Sequence, residues 1–131
     1  MVTWNNLDKL ASYQELKDTA RVNLAEVMSG ENGAARVKNY SIPMAAGFTY
    51  NYAAKAVDDK VLTALVKLAD EAQLADKFKE LYNGAVINTG ENRLVLHQLT
   101  RGQLGDAVKA DGVDKRAFYV EQQNRIADFA N

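Results

Sequence analysis

The sequence has no cysteine, one histidine, one proline and one tryptophan among its 131 residues. Without cysteine there can be no disulfide, no thiol nucleophile and no thiolate metal site. With His97 as the sole histidine, a cluster of imidazoles around a metal is excluded. No charge of one sign prevails: the formal net charge is -1, and Lys and Arg are interleaved with Asp and Glu. A nucleic-acid binder carries a basic surplus or patch, and a membrane-surface helix carries a basic polar face. Neither is present, so nucleic acid and membrane are not expected partners. No apolar run approaches the ~20 residues of a membrane-spanning helix. The stretch Met1-Val2-Thr3-Trp4-Asn5-Asn6-Leu7-Asp8 has neither the basic nor the apolar region of a secretory signal. A reducing, cytoplasmic setting is therefore expected, and the sequon Asn39-Tyr40-Ser41 is read as coincidence.

What remains is the composition of a globular chain, 47% hydrophobic and 25% charged. That supplies enough apolar surface to offset chain entropy and build one domain's core. A short helix is expected over Asn5 to Ala11, and a longer one from Gln14 to Ser29, where Leu16, Ala20, Leu24, Val27 and Met28 share a face. Gly30 reads as its left-handed cap and Glu31-Asn32-Gly33 as a turn. Phe48, Thr49, Tyr50 and Tyr52 favour extended structure, so two short paired strands are expected, at Ser41 and Phe48–Tyr52. Pro43, lacking an N–H, belongs in the turn or on an edge.

Asp58 can cap a helix ending near Gln73, whose wide apolar face (Val61, Leu62, Leu65, Val66, Leu68, Ala69, Ala72) implies burial on more than one side. A helix over Leu74–Tyr82 follows, stopped by Asn83-Gly84. Another is expected from Gly90 to Arg101, with Gly102 and Gly105 breaking the chain beyond it. Asp111-Gly112 is a turn, and a last helix runs from Val113 to Ala130 with Asp111 or Asp114 at its positive end. The expected class is mainly α with a short two-stranded β element, α+β, over residues 1–131 as one domain or fragment.

Few residues suggest chemistry. His97 could act as a base near neutral pH, but no Ser-His-Asp set accompanies it. Asp58, Asp59, Asp70 and Glu71 do not have the spacing of a calcium loop. Thr100-Arg101-Gly102-Gln103-Leu104-Gly105 follows a helix rather than preceding one, the wrong order for a phosphate cradle. No catalytic, cofactor-binding or metal-ligating residue is assigned. The strongest local signal is Asn88-Thr89-Gly90-Glu91, which fits a capping box: Asn88 as cap, Glu91 reaching back to it. Capping does not require Arg93 and His97 in the same run, nor Arg101 four residues later.

That run resembles the N-terminal region of the glucose-6-phosphate isomerase (phosphoglucose isomerase) family. Gly84, Ile87, Asn88, Glu91, Arg93, Val95, Leu96, His97 and Arg101 match the family's pattern. Gly90 stands where the family has Thr, Leu94 where it has Ala, and Ala85 where it has an acidic residue. Tyr52-Ala53-Ala54-Lys55 keeps the Tyr and Lys of a second family stretch and lacks its Ser. The resemblance runs from about Tyr40 onward.

It implies the N-terminal segment of a larger α/β sugar-isomerase fold, part of a cytoplasmic enzyme of glycolysis and gluconeogenesis. That enzyme interconverts glucose 6-phosphate and fructose 6-phosphate through an enediol, as a dimer, with no cofactor. The phosphate-binding segments, the proton-shuttling glutamate and the ring-opening histidine of the family lie beyond Asn131. The resemblance therefore implies partners in the remainder of the chain and a second subunit, and an inactive fragment. Arg93, His97 and Arg101 are given a structural role, tying the segment to the rest of the protein. Two alternatives stay open: a stand-alone helical module that binds a partner protein, and a non-isomerase sugar-phosphate protein sharing this segment. Exposed apolar faces and self-association are expected of a segment cut from its neighbours.

Overall fold

The computed structural model describes residues 2–101 and 106–131. The chain divides into two compact units, Trp4–Ala72 and Gln73–Asn131 with Met1–Thr3. The class is mainly α with small two-stranded sheets, as expected, and there are three antiparallel hairpins among the described residues rather than one.

In the Trp4–Ala72 unit, a 3-10 turn at Leu7–Lys9 leads into α1, Ala11–Asp18. The expected Gln14–Ser29 helix is broken. Thr19 turns extended while its hydroxyl donates to the Glu15 carbonyl at 2.9 Å, and helix resumes only over α2, Leu24–Val27, capped by Asn23. Side chains that bond their own backbone offer an alternative to the helix, and here that alternative overrides the apolar spacing. The expected turn at Glu31-Asn32-Gly33 is instead the start of α3, Gly30–Asn39. Gly30 does adopt the left-handed conformation, at φ 57°. Position 33, inside this helix, admits only glycine, because a Cβ there would stand 2.2 Å from the Met28 carbonyl oxygen.

Strand β1, Ser41–Pro43, pairs with β2, Thr49–Asn51, so that Ile42 faces Tyr50 and Pro43 faces Thr49. Pro43 is tolerated because a two-stranded sheet consists only of edges. Helix α4, Asp59–Glu71, starts where Asp58 accepts the Val61 N–H at 2.8 Å, the expected cap.

Helix α1 packs on α4, and the contact includes a cap supplied across the sequence. Leu10 precedes α1 and cannot cap it. The Glu71 carboxylate accepts the Ala11 N–H at 3.2 Å and the Ser12 N–H at 2.8 Å, and the Ser12 hydroxyl also donates to it. These bonds, the Ser12 hydroxyl first, hold the Glu71 carboxyl below its ordinary value. A carboxylate at a helix N-terminus satisfies orphan donors and complements the dipole.

In the Gln73–Asn131 unit, α5 spans Leu74–Tyr82 as expected. Strand β3, Val86–Asn88, pairs with β4, Arg93–Leu94. The helix expected over Gly90–Arg101 is therefore replaced by the end of a hairpin and a 3-10 turn at His97–Thr100. Asn92, at φ 52°, takes the left-handed conformation that a hairpin connection requires and a helix forbids. Gly102 and Gly105 lie outside the described residues. Strand β5, Lys109–Ala110, and β6, Val113–Asp114, flank Asp111-Gly112, both at positive φ in the manner of a type I′ turn. Asp114 then caps α6, Lys115–Ala130, two residues later than the expected start.

Candidate functional site

The segment Gly84 to Arg101 belongs to the Gln73–Asn131 unit, and each residue in it can be assigned what it touches. Gly84 stands after α5 at φ 81°, and a Cβ there would lie 2.2 Å from Val108 Cγ1. Both the backbone angle and the close approach require glycine. The expected pairing of Asn88 with Glu91 is present in another role. Asn88 Oδ1 accepts the Glu91 N–H at 3.3 Å, and the Asn88 amide donates to the Glu91 carboxylate at 3.3 Å. The two residues brace the β3–β4 turn, not a helix start.

Beyond the turn, Leu99 and Val108 are fully buried and form the apolar centre of the unit. Gln98 donates to the Leu81 carbonyl at 3.1 Å. The Thr100 hydroxyl donates to the His97 carbonyl, and Gln123 of α6 donates to the Thr100 carbonyl, both at 2.8 Å. Arg116 of α6 is buried. Its Nη2 donates to the Tyr82 carbonyl at 3.2 Å, its Nε donates to the Asp106 carbonyl, and its guanidinium lies 5.4 Å from the Tyr82 ring centre.

Arg93, His97 and Arg101 are not brought together. All three are exposed. Arg93 makes only a 3.7 Å ion pair with Glu91, and the side chains of His97 and Arg101 bond to no other described residue. Bracing inside the unit comes from Gln98, Leu99 and Arg116. A buried arginine leaves no periodic trace in sequence, so Arg116 passed unmarked.

The same holds for Arg36 in the other unit. It is buried, with Nε donating to the Ala53 carbonyl at 2.8 Å and Nη2 to the Lys55 and Val57 carbonyls at 3.0 and 2.6 Å. Its guanidinium lies 4.0 Å from the Tyr40 ring centre. Arg36 thereby fixes the Tyr52-Ala53-Ala54-Lys55 stretch.

Among the described residues no group of three His, Asp or Glu is placed to hold a metal. Asp58 and Glu71 are occupied as caps. Among the described residues no helix is long and apolar enough to cross a membrane.

The segment is braced within its unit by Gly84, Asn88, Glu91, Gln98 and Arg116, and comparison with known proteins places the chain in a family of isomerases. The family model described as phosphoglucose isomerase matches residues 51–131, and the chain belongs to that family. Among its relatives, glucose-6-phosphate isomerase of Treponema denticola is 48% identical over 97% of this chain and 25% of its own length. The enzyme of Treponema pallidum (strain Nichols) is 42% identical over 98% of this chain and 25% of its own. The crystal structure of a glucose-6-phosphate isomerase from Chlamydia trachomatis is similar to 95% of this chain and 25% of that one, with a TM-score of 0.74 and 29% identity. The chain thus spans about a quarter of the length of the relatives it matches.

Proposed function

We propose that this chain is the N-terminal quarter of a glucose-6-phosphate isomerase, which interconverts glucose 6-phosphate and fructose 6-phosphate in the cytoplasm. In this reading the whole enzyme opens the sugar ring and moves a proton through an enediol, as a dimer and without a metal or organic cofactor. The groups that touch the sugar phosphate come from polypeptide outside these 131 residues. This segment contributes packing and hairpins, not reacting atoms. The observation that carries the reading is 48% identity over almost the whole chain to a relative four times as long.

The reading is tested by reading the coding sequence past Asn131 and assaying the full product. Continuation into phosphate-binding segments, with isomerase turnover, supports it. A stop codon directly after Asn131 favours a stand-alone interaction module instead.

A further inference from the structure

The chain carries three dipeptides in which an amide or acidic residue precedes glycine: Asn32-Gly33, Asn83-Gly84 and Asp111-Gly112. Such a pair can close on itself, because glycine has no side chain to keep its nitrogen from the preceding side-chain carbon. Closure needs a glycine N–H free of an acceptor, room for a planar ring and a backbone able to rotate. The fold withholds these at both asparagines. The Gly33 N–H donates to the Ser29 carbonyl at 3.2 Å, and the Gly84 N–H to the Leu81 carbonyl at 3.1 Å. Gly33 stands against the Met28 carbonyl and Gly84 against Val108. Asn32 lies inside α3, and Asn83 ends α5 with its own N–H on the Lys79 carbonyl. Gly112 differs on each count. Its N–H has no acceptor among the described residues, and none of them lies within 4 Å of where its Cβ would stand. Asp111 and Gly112 are exposed at the tip of a hairpin whose strands, Lys109–Ala110 and Val113–Asp114, are two residues each, so opening it costs little.

We propose that Asp111-Gly112 is a site of spontaneous main-chain isomerisation, at which Asp111 becomes isoaspartate. The Gly112 nitrogen gives its proton to solvent and bonds to Cγ of the Asp111 carboxyl in its acid form. The Cγ–OH bond breaks, the oxygen takes up a proton and leaves as water, and a cyclic succinimide remains. Water then adds to the ring. Addition at Cγ returns aspartate. Addition at the Asp111 main-chain carbonyl carbon breaks its bond to the Gly112 nitrogen, which takes back a proton, and the chain then runs through Cβ and Cγ. No oxidant, metal or enzyme is required. The added methylene falls in the turn that leads to the Asp114 cap of α6.

The test ages the full-length protein near neutral pH, both folded and in denaturant, and reads each dipeptide by peptide mass spectrometry with isoaspartate-specific fragmentation. In denaturant the asparagines should lead, since an amide releases ammonia more readily than an ionised carboxylate releases water. In the folded protein the order should invert, with Asp111 converting about tenfold faster than Asn32 or Asn83, because opening α3 or α5 draws on more free energy than opening a hairpin tip. Asn32 or Asn83 leading in the folded protein overturns the proposal, and so does a level of isoaspartate at Asp111 no higher than in fresh protein. Asp111→Asn retains a residue favoured in this turn and should speed conversion at that position, with release of ammonia. A folded-state rate unchanged by Asp111→Asn overturns ring closure as the route.

Discussion

In the Trp4–Ala72 unit one buried arginine reaches three carbonyls; in the Gln73–Asn131 unit one buried arginine reaches two. Besides Arg36, the residues buried in the Trp4–Ala72 unit are small: Ser12, Gly33, Ala53, Ala64 and Ala72. Around Arg116 the unit also buries Leu99 and Val108 completely. The first unit is therefore held more by polar anchoring and helix caps. The second has a modest apolar centre of its own. Among the described residues Arg116 Nη1 is buried without an acceptor, whereas Arg36 is spent on well-placed carbonyls.

The largest expected effect breaks the first anchor. Arg36→Met leaves three carbonyls without their donor and should cost roughly 3 kcal/mol or more, since each unsatisfied buried acceptor costs roughly 1–3 kcal/mol. Arg116→Met should cost less, about 2–3 kcal/mol, because fewer bonds are lost and an unpaired buried nitrogen is removed. Urea unfolding of the two variants ranks them, and the reverse order would overturn the contrast between the units. Next is Gly84→Ala, which drives a Cβ into Val108 and forces an alanine to φ 81°. Overpacking of this kind costs about 1–3 kcal/mol, read as a lower urea midpoint.

A smaller, pH-dependent effect attaches to Glu71. Its folded-state carboxyl is held below the ordinary 4.5, so the folded state binds fewer protons than the unfolded state in that range. The stabilisation is complete above pH 4.5 and disappears as pH falls through the lowered value. Glu71→Gln should thus be less stable at neutral pH and lose less on acidification, so thermal unfolding curves of the two proteins converge below pH 4.5. The smallest effect is at Arg93, whose ion pair is exposed. Arg93→Gln should change stability by less than about 0.5 kcal/mol in the same unfolding assay.

Much of the fold was legible where the signal is local. Asp58 caps as expected, Asp114 is the one of the two expected acidic residues that stands at the start of α6, Asp111-Gly112 turns a hairpin, and α5 has its expected ends. The hairpin at β1 and β2 followed from branched and aromatic residues alone. The failures at Gln14–Ser29 and Gly90–Arg101 have a common cause. Apolar spacing does not encode the local backbone choice in either place: Thr19 bonds backward and turns extended, and Asn92 turns left-handed into a hairpin. Long-range anchors left no trace: Arg36 finds its acceptors 17 to 21 residues away, and Glu71 caps a helix 59 and 60 residues earlier. In the matched segment the resemblance identified the residues and the structure supplied the physical jobs. Gly84 is explained by its angle and its neighbour, Asn88 and Glu91 by a turn. Arg93, His97 and Arg101 stand exposed in this chain.

The central claim is that this chain belongs to an isomerase without containing the reacting groups. Conversion of glucose 6-phosphate to fructose 6-phosphate tests it most directly, measured for the full coding sequence and for residues 1–131 prepared in a host lacking its own isomerase. The account predicts turnover by the full product and none by the 131-residue chain. Turnover by the 131-residue chain alone, or none by the full product, would contradict it.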